Sequence, residues 1–246
     1  MGASPFTMFR EPFLTENFRR DGRTSDELRL ITCELGIYPS FDGSAVYTQG
    51  TTKILATVSG PKSSKLRSFE CRDKASVNTS FFMSPFSSLD RKITGRYDKR
   101  SKEIGIAVNH VLESAILLEQ MPRSVIEVNI TSLEDDGATR CACINAAMLA
   151  LVDAGVPLRG FVTACDAGFI EDTPFLDLTS DETNSGGAEL SLAIMDGTEE
   201  VLMLQSASQL PEEQLSKVMA LALEGCNQIA ELLLRKIKNF GEKKIN

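Results

Sequence analysis

The residues best suited to chemistry in this chain are grouped within ten positions, 133–142. There a predicted strand runs into a turn at Gly137, and a predicted helix follows. Helix N-termini attract anions because their first backbone N–H groups are unpaired and the helix dipole is positive there. The Thr139 hydroxyl and the Arg140 guanidinium stand at the same N-terminus. The segment has the composition of a phosphate site, although many glycine turns between a strand and a helix bind no ligand.

A second cation strengthens the phosphate interpretation. Arg100 ends a segment rich in Ser, Arg and Lys, and it stands at the entry to another predicted helix. If Arg100 and Arg140 meet, two guanidinium groups and the turn amides can hold one dianion through charge-assisted, bidentate hydrogen bonds. We therefore expect Arg100, Thr139 and Arg140 to share one site.

The elements that must position these residues follow from hydrophobic periodicity and turn residues. Alternating segments predict strands at 28–37, 44–49, 52–59, 75–83, 124–133 and 161–170, and a hairpin at 188–205 that turns at Asp196-Gly197. Apolar residues at helical spacing predict helices at 101–120, with Ser101 as its cap, at 139–153 and at 211–238. Residues 84–100 are predicted to be an exposed loop. Strands and helices mix without regular alternation, which is typical of the α+β class.

The same patterns predict how the chain is organised. Residues 1–19 lack periodicity and are predicted to be an N-terminal arm, which carries Phe6, Phe9 and Phe13. Residues 20–246 are predicted to form one domain, with a first part at about 20–157 and a second part at about 158–240.

Composition limits the classes of function. With 42% apolar and 24% charged residues, the 246-residue chain is typical of a soluble globular protein, and its first twenty residues resemble no signal or transit peptide, so we expect an intracellular protein. The net charge of −8 does not predict nucleic-acid binding, but basic residues cluster at 62–74 and 91–102. The single histidine, His110, argues against Ser–His–Asp catalysis. Most of the six cysteines lie in apolar segments and are predicted to be buried thiols.

Several motifs in the chain resemble those of the RNase PH family in type and order. They are Arg20-Asp21-Gly22-Arg23 with Glu27-Leu28-Arg29, the hairpin residues 42–53, Asp136-Gly137-Ala138-Thr139-Arg140, and Asp153-Ala154-Gly155-Val156-Pro157. The resemblance covers roughly residues 20–240 and is greatest to the eukaryotic ring-forming branch of the family. It implies a single RNase PH-like domain of the ribosomal protein S5 domain 2-like fold, with mixed sheets packed against helices.

RNase PH enzymes degrade RNA from its 3′ end by phosphorolysis, so the resemblance implies roles for particular residues. It places the phosphate ligands on Arg100, Ala138, Thr139 and Arg140, with Ala138 acting through its backbone where the family has glycine. That change is mild if φ at residue 138 is negative and harmful if it is positive. The resemblance also places the basic loop with Lys65 and Arg67 where relatives present arginines to RNA in a central pore. Arg72 and Arg96, from the two basic clusters, are further candidates for RNA binding.

The catalytic pattern of the family breaks after Leu176. The family uses two carboxylates six residues apart, thought to hold a divalent metal, and these positions fall here on Thr183 and Glu189. A hydroxyl cannot replace a carboxylate at a divalent cation, because it lacks the charge. Asp181 and Glu182 are possible substitutes, although a solvated loop is the interpretation we favour for both. We expect no catalytic residue, no metal ligand and no cofactor, with Mg²⁺ and inorganic phosphate needed only if the chain is active.

The resemblance therefore implies a non-catalytic RNA-threading subunit of the exosome core ring, acting in rRNA processing and mRNA decay. Its implied partners are RNA, other RNase PH-like subunits in a hexameric ring, S1/KH cap subunits and a hydrolytic exosome nuclease, in the nucleus, nucleolus and cytoplasm, with no membrane. One alternative is an active phosphate-dependent 3′-to-5′ exoribonuclease. Another is an enzyme that acts on small phosphate esters.

Overall fold

The first half of the chain folds into a five-stranded mixed sheet. The computed structural model describes residues 18–63, 72–88, 91, 98–170, 173–198, 200–206 and 208–245. The strands are β1 (Ile31–Leu35), β2 (Gly43–Gln49), β3 (Thr52–Ser63), β4 (Ser76–Met83) and β5 (Ser124–Glu134). Their order is β1-β2-β3-β5-β4, and β4 pairs with β5 in parallel while the other pairs are antiparallel. Alternate residues of β2, β3 and β5 are buried, which is the period that the sequence shows.

The second half contributes a four-stranded antiparallel sheet. Its strands are β6 (Val162–Ile170), β7 (Thr173–Leu176), β8 (Ala188–Met195) and β9 (Glu200–Ser206), in the order β7-β6-β8-β9. The β8–β9 hairpin turns at Asp196-Gly197, as predicted.

A helix buried between the two sheets joins their cores. The helices are α1 (Lys99–Ala115), α2 (Thr139–Asp153), α3 (Ser180–Asn184) and α4 (Glu212–Ile245). The α2 helix contacts β2 and β3 on one side and β6 on the other, and its residues from Cys141 to Leu151 are all buried. A helix that is apolar all round belongs inside a protein, and the Ala-, Leu- and Met-rich sequence of α2 meets that condition. The two sheets packed with helices confirm the predicted α+β class.

Helix α4 packs on β6 and β8, opposite α2. Its buried stripe includes Val218, Ala222, Cys226, Ile229 and Leu233, as the periodicity predicts. Among the described residues, no helix combines the length and the apolar character needed to span a membrane. Of the cysteines in this part of the chain, Cys141, Cys143, Cys165 and Cys226 are buried and free, and burial raises the pKa of each thiol.

Some predicted boundaries were wrong. Helix α1 begins at Lys99, where the Asp98 side chain accepts a hydrogen bond from the Ser101 amide, so Asp98 rather than Ser101 is the cap and residues 99 and 100 are not loop. The helix ends at Ala115, and a short 3₁₀ turn at Leu118–Gln120 occupies the rest of the predicted range. Strand β1 is shorter than predicted and α4 is longer. Strand β7 and helix α3 were not predicted.

Candidate anion-binding site

A cavity of about 620 Å³ opens where the first turn of α1, the β5–α2 turn, α3 and strands β8 and β9 meet. It is lined by all four residues predicted to bind phosphate, Arg100, Ala138, Thr139 and Arg140. Thr183 and Glu189, the two positions to which the resemblance assigns the carboxylate pair, line the same cavity. Other polar lining residues come from α1, the β5–α2 turn, α3, β8 and β9 and include Glu103, Asp135, Ser180, Asn184, Ser191 and Gln205.

The β5–α2 turn approaches α3 so closely that only glycine fits at its centre. Gly137 has φ of +83°, and a Cβ atom there would lie 2.6 Å from the Leu178 carbonyl oxygen and 2.9 Å from the Ser180 amide nitrogen. Asp136 ties the turn down: its Oδ1 accepts from the Ser180 hydroxyl at 2.6 Å, and its Oδ2 accepts from Thr51 at 2.5 Å. Burial alone would raise the pKa of Asp136, but these hydrogen bonds outweigh it and the pKa is lowered.

Ala138 caps α2 in the left-handed conformation, with φ of 54° and ψ of 22°. The harmful case left open by the sequence is the one that occurs, because a Cβ atom in this region is sterically strained. The residue is nearly fully buried, so the strain is held in place by the packing around the turn.

The Ala138→Gly substitution is therefore expected to raise the free energy of unfolding by about 1 kcal/mol. Thermal or urea denaturation measures the change. Ala142→Gly is the matched control, because Ala142 lies inside the same helix, where glycine lowers stability by about 1 kcal/mol. Loss of stability in both variants would contradict the strain at residue 138.

The two groups that begin α2 are already engaged. The Thr139 hydroxyl donates to the Asp135 carboxylate, which orients it at the cavity wall. Arg140 donates from Nη2 to Glu103 Oε1 at 3.2 Å, while its Nε is buried without a hydrogen-bond partner among the described residues. Arg100, in the first turn of α1, is exposed, and no salt bridge to it occurs within the part of the chain that the structure describes. The cavity thus presents two guanidinium groups from two helix N-termini, which is the convergence that the sequence predicted.

The segment after β7 corrects the interpretation of Glu182. This residue is in α3 rather than in a solvated loop, and it is only 5% exposed. Its carboxylate accepts two parallel bonds from Arg19, at 2.8 and 2.7 Å, and one from the Thr179 amide at 2.8 Å. Those bonds hold Glu182 away from the cavity, and Asp181 is exposed and does not line it. Neither acid is placed to substitute for the carboxylate that Thr183 replaces.

The cavity residues do not fit a divalent cation at the family's position. Thr183 donates its hydroxyl to the Thr179 carbonyl at 3.1 Å, so Glu189 stands there without a second carboxylate from α3. No group of three His, Cys, Asp or Glu side chains suitable for a metal occurs among the described residues. Mg²⁺ requires hard oxygen ligands, normally carboxylates, and the Thr183 hydroxyl does not supply the charge of one.

Sequence reasoning missed a set of buried arginines that positions this segment. Arg29 donates to both oxygens of Asp177, from Nη2 to Oδ1 at 2.6 Å and from Nε to Oδ2 at 2.9 Å. Its Nη1 also donates to the Asp136 carbonyl at 2.8 Å, so Arg29 links the segment that follows β7 to the β5–α2 turn. Arg23 donates to the Asp177 carbonyl at 3.3 Å, and Arg19, the last residue of the predicted arm, binds Glu182. The signal in the sequence is the arginine content of the motifs at 20–29.

Three of the four residues predicted to bind RNA, Lys65, Arg67 and Arg96, lie outside the described residues. The fourth, Arg72, is exposed between β3 and β4 and is not part of the cavity wall. Its role stays a prediction.

Most of this chain matches known proteins in sequence and in fold. Residues 27–157 match domain 1 of the RNase PH group, described as the 3′ exoribonuclease family, and residues 160–225 match domain 2 of that family. Among solved structures, the crystal structure of rice (Oryza sativa) Rrp46 superposes with a TM-score of 0.80 at 26% identity, covering 89% of this chain and all of that one. The Archaeoglobus fulgidus exosome with RNA bound to the active site has the same fold, with a TM-score of 0.77 at 20% identity over 88% of this chain and 93% of that one.

Curated proteins are similar in sequence to this chain over about the same length. The Arabidopsis thaliana exosome complex component RRP41 homolog is 42% identical over 88% of this chain and 90% of its own length. The human exosome complex component RRP41 is 38% identical over 91% of both chains, and Rrp41 of Thermococcus gammatolerans is 42% identical over 88% of this chain and 87% of its own. With its two-sheet fold, its glycine turn and both family domains in order, the chain belongs to the RNase PH 3′ exoribonuclease family.

Proposed function

We propose that this chain is a non-catalytic, RNA-binding subunit of an exosome core ring. One observation carries the proposal: the cavity keeps Arg100 and Arg140, whereas the catalytic side of the same cavity presents the Thr183 hydroxyl. The buried Arg19–Glu182 pair supports it, because it removes the nearest acid that could take over. Such a cavity offers guanidinium donors for a phosphate group and lacks the carboxylate pair on which the family's phosphorolysis relies.

The relatives named exosome complex components support the assembly part of the proposal. The partners are RNA, other RNase PH-like subunits in a hexameric ring, S1/KH cap subunits and a hydrolytic nuclease that receives the threaded RNA. The compartments are the nucleus with its nucleolus and the cytoplasm, where rRNA processing and mRNA decay take place. In this proposal residues 1–19 are an arm, and the parts at about 20–157 and 158–240 form one RNase PH-like domain.

RNA binding in this proposal combines the cavity with the basic segments near the pore. Lys65, Arg67, Arg72 and Arg96 make phosphate contacts there, which hold any sequence because the backbone carries the charge. Inorganic phosphate enters the cavity as a ligand and is not consumed.

The rival function is an active phosphorolytic exoribonuclease, in which Glu189 acts beside the arginines. Glu189 favours it, because this carboxylate does line the cavity. That function would require Mg²⁺ and phosphate as co-reactants, and it would need a second acid that α3 does not supply.

A direct assay separates the two functions. The protein, alone and assembled with its ring partners, is incubated with 3′-extended labelled RNA, Mg²⁺ and inorganic phosphate, and bound RNA and released nucleoside diphosphates are measured. We expect the assembled ring to bind RNA and to release no nucleoside diphosphate. Release that depends on phosphate and disappears in Glu189→Ala, but persists in the exposed Glu113→Gln control, would establish the rival function. Failure of the ring to bind RNA would contradict the proposal as well.

A further inference from the structure

Arg140 is paired with the Glu103 carboxylate, which is an anionic oxygen group like the phosphate that Arg140 is expected to bind. Oε1 of Glu103, on α1, accepts from Arg140 Nη2 at 3.2 Å and from Gln205 Nε2, on β9, at 2.9 Å. Three elements, α1, α2 and β9, therefore meet at one carboxylate oxygen in the wall of the cavity. The Glu103 side chain is 57% exposed and that of Arg140 is 20% exposed. An ion pair this open to water contributes little free energy, so another anion can replace Glu103 at Arg140.

The contact uses only half of the guanidinium edge. An anion with two oxygens binds the Nε and Nη2 groups of an arginine together through two parallel hydrogen bonds. Here Nη2 donates to Glu103, but Nε is buried and has no hydrogen-bond partner among the described residues. A buried N–H group without an acceptor is unfavourable, so an anion that takes the place of Glu103 and bridges Nη2 and Nε would satisfy both groups. The edge of Arg140 is thus incompletely filled by Glu103.

We propose that Glu103 is an internal competitor for the anion site, held by Gln205, and that an entering phosphate group must displace it from Arg140. The inference rests on the proposed function and adds regulation of the same site. In molecules where Glu103 is paired with Arg140, an anion cannot bind that arginine. The apparent affinity for every anion therefore falls by the fraction of molecules in which the pair is formed. In a subunit that passes RNA onward, this contact limits how tightly a phosphate is retained.

Displacement makes a prediction that simple charge repulsion does not. If Glu103 must leave Arg140, then its removal strengthens the binding of all anions by the same factor, whatever their charge. If Glu103 acted only by long-range repulsion, a dianion would gain about twice as much binding free energy as a monoanion, because Coulomb energy scales with charge. Gln205 distinguishes displacement from repulsion in a second way. Its replacement removes a hydrogen bond that holds Glu103 beside Arg140, but it changes no charge.

The experiment measures anion binding to the full chain at constant ionic strength by NMR, following the Thr139 and Arg140 amides during titration with sulfate or dimethyl phosphate. We expect Glu103→Gln to tighten the binding of both anions by about the same factor, up to fivefold. Gln205→Leu is expected to tighten both by about twofold, since it removes one of the two hydrogen bonds to Glu103. Glu113→Gln, an exposed charge change on the same helix, is the control and leaves both affinities unchanged.

The variants separate failure of the competitor from failure of the site. Arg140→Gln must weaken sulfate binding if the cavity is the anion site. If it does, but Glu103→Gln leaves the affinities unchanged or Gln205→Leu weakens binding, the competitor is refuted and the site stands. If neither the wild-type protein nor Glu103→Gln binds sulfate, the competitor is refuted too, whereas the proposed function is still decided by the RNA assay.

Discussion

Methionine in place of Arg29 is expected to lower the free energy of unfolding by about 3–5 kcal/mol, because it leaves the buried Asp177 carboxylate without its main partner. Asp177 is fully buried, and Arg29 supplies two side-chain bonds to it at 2.6 and 2.9 Å as well as a backbone N–H bond at 2.9 Å. Arg23, whose Nη1 lies 3.8 Å from Asp177 Oδ2, is too distant to replace a bidentate pair. The loss would also release the β5–α2 turn, since Arg29 binds the Asp136 carbonyl.

Urea denaturation at neutral pH measures this loss. Arg159→Met is the matched control, because Arg159 is exposed and its removal should change stability by less than about 0.5 kcal/mol. Arg29→Lys keeps the charge but not the bidentate geometry, and we expect an intermediate loss. A decrease of less than about 1 kcal/mol in Arg29→Met would contradict a structural role for this pair.

The same pair gives the protein part of its acid sensitivity. Burial would raise the pKa of Asp177, but the hydrogen bonds and charge of Arg29 outweigh it, so the pKa is lowered in the folded protein. A carboxyl with a lowered folded pKa contributes stability above its unfolded pKa of about 3.9, and the contribution is lost as the pH falls through the folded value. In Arg29→Met the lowering is removed, so this part of the acid-induced loss of stability disappears.

Gly137→Ala is expected to weaken sulfate binding more than tenfold and to cost about 2 kcal/mol of stability. Glycine is required here twice, by φ of +83° and by backbone atoms of residues 178–180, at the start of α3, which lie within 3 Å of the missing Cβ. Those atoms belong to the chain backbone and cannot turn aside as a side chain could. The turn must therefore move away from α3, and the amides at the start of α2 move with it.

Titration with sulfate and urea denaturation test the two effects together. Gly155→Ala is the control, because Gly155 also has a positive φ, +70°, but a Cβ atom added there would meet no atom within 4 Å. Gly155→Ala should therefore lose stability, because alanine is strained at positive φ, but it should bind sulfate as tightly as the wild-type protein. Equal sulfate affinity in Gly137→Ala and the wild-type protein would mean that the turn does not form the site.

The site could be predicted from sequence to the extent that its signals are local. The turn at Gly137 and the helix α2 depend on residues next to each other, and the structure has both where they were expected. Arg100 was expected near Arg140 because each begins a helix, and the cavity brings them together. Strand β7 and helix α3 have only four and five residues, too few for periodicity to be recognised.

The buried ion pairs could not be predicted in the same way. Arg29 and Asp177 are 148 positions apart, and Arg19 and Glu182 are 163 apart. The residues next to Glu182 in the sequence do not distinguish it from a solvated acid, because a charged side chain is normally exposed. Glu182 is buried because Arg19, distant in sequence, pairs with it. The conformation of Ala138 likewise follows from how the turn meets α3, so the sequence left both signs of φ open.

The burial of α2 between both sheets has a consequence for how a ligand is received. A helix whose every side is covered cannot loosen without exposing the cores on both sides of it, so its first turn is immobilised when the whole domain folds. A phosphate that enters the cavity therefore meets amide groups that are already in place. Little backbone freedom is lost on binding, and the entropic cost of association falls mainly on the arginine side chains and the RNA.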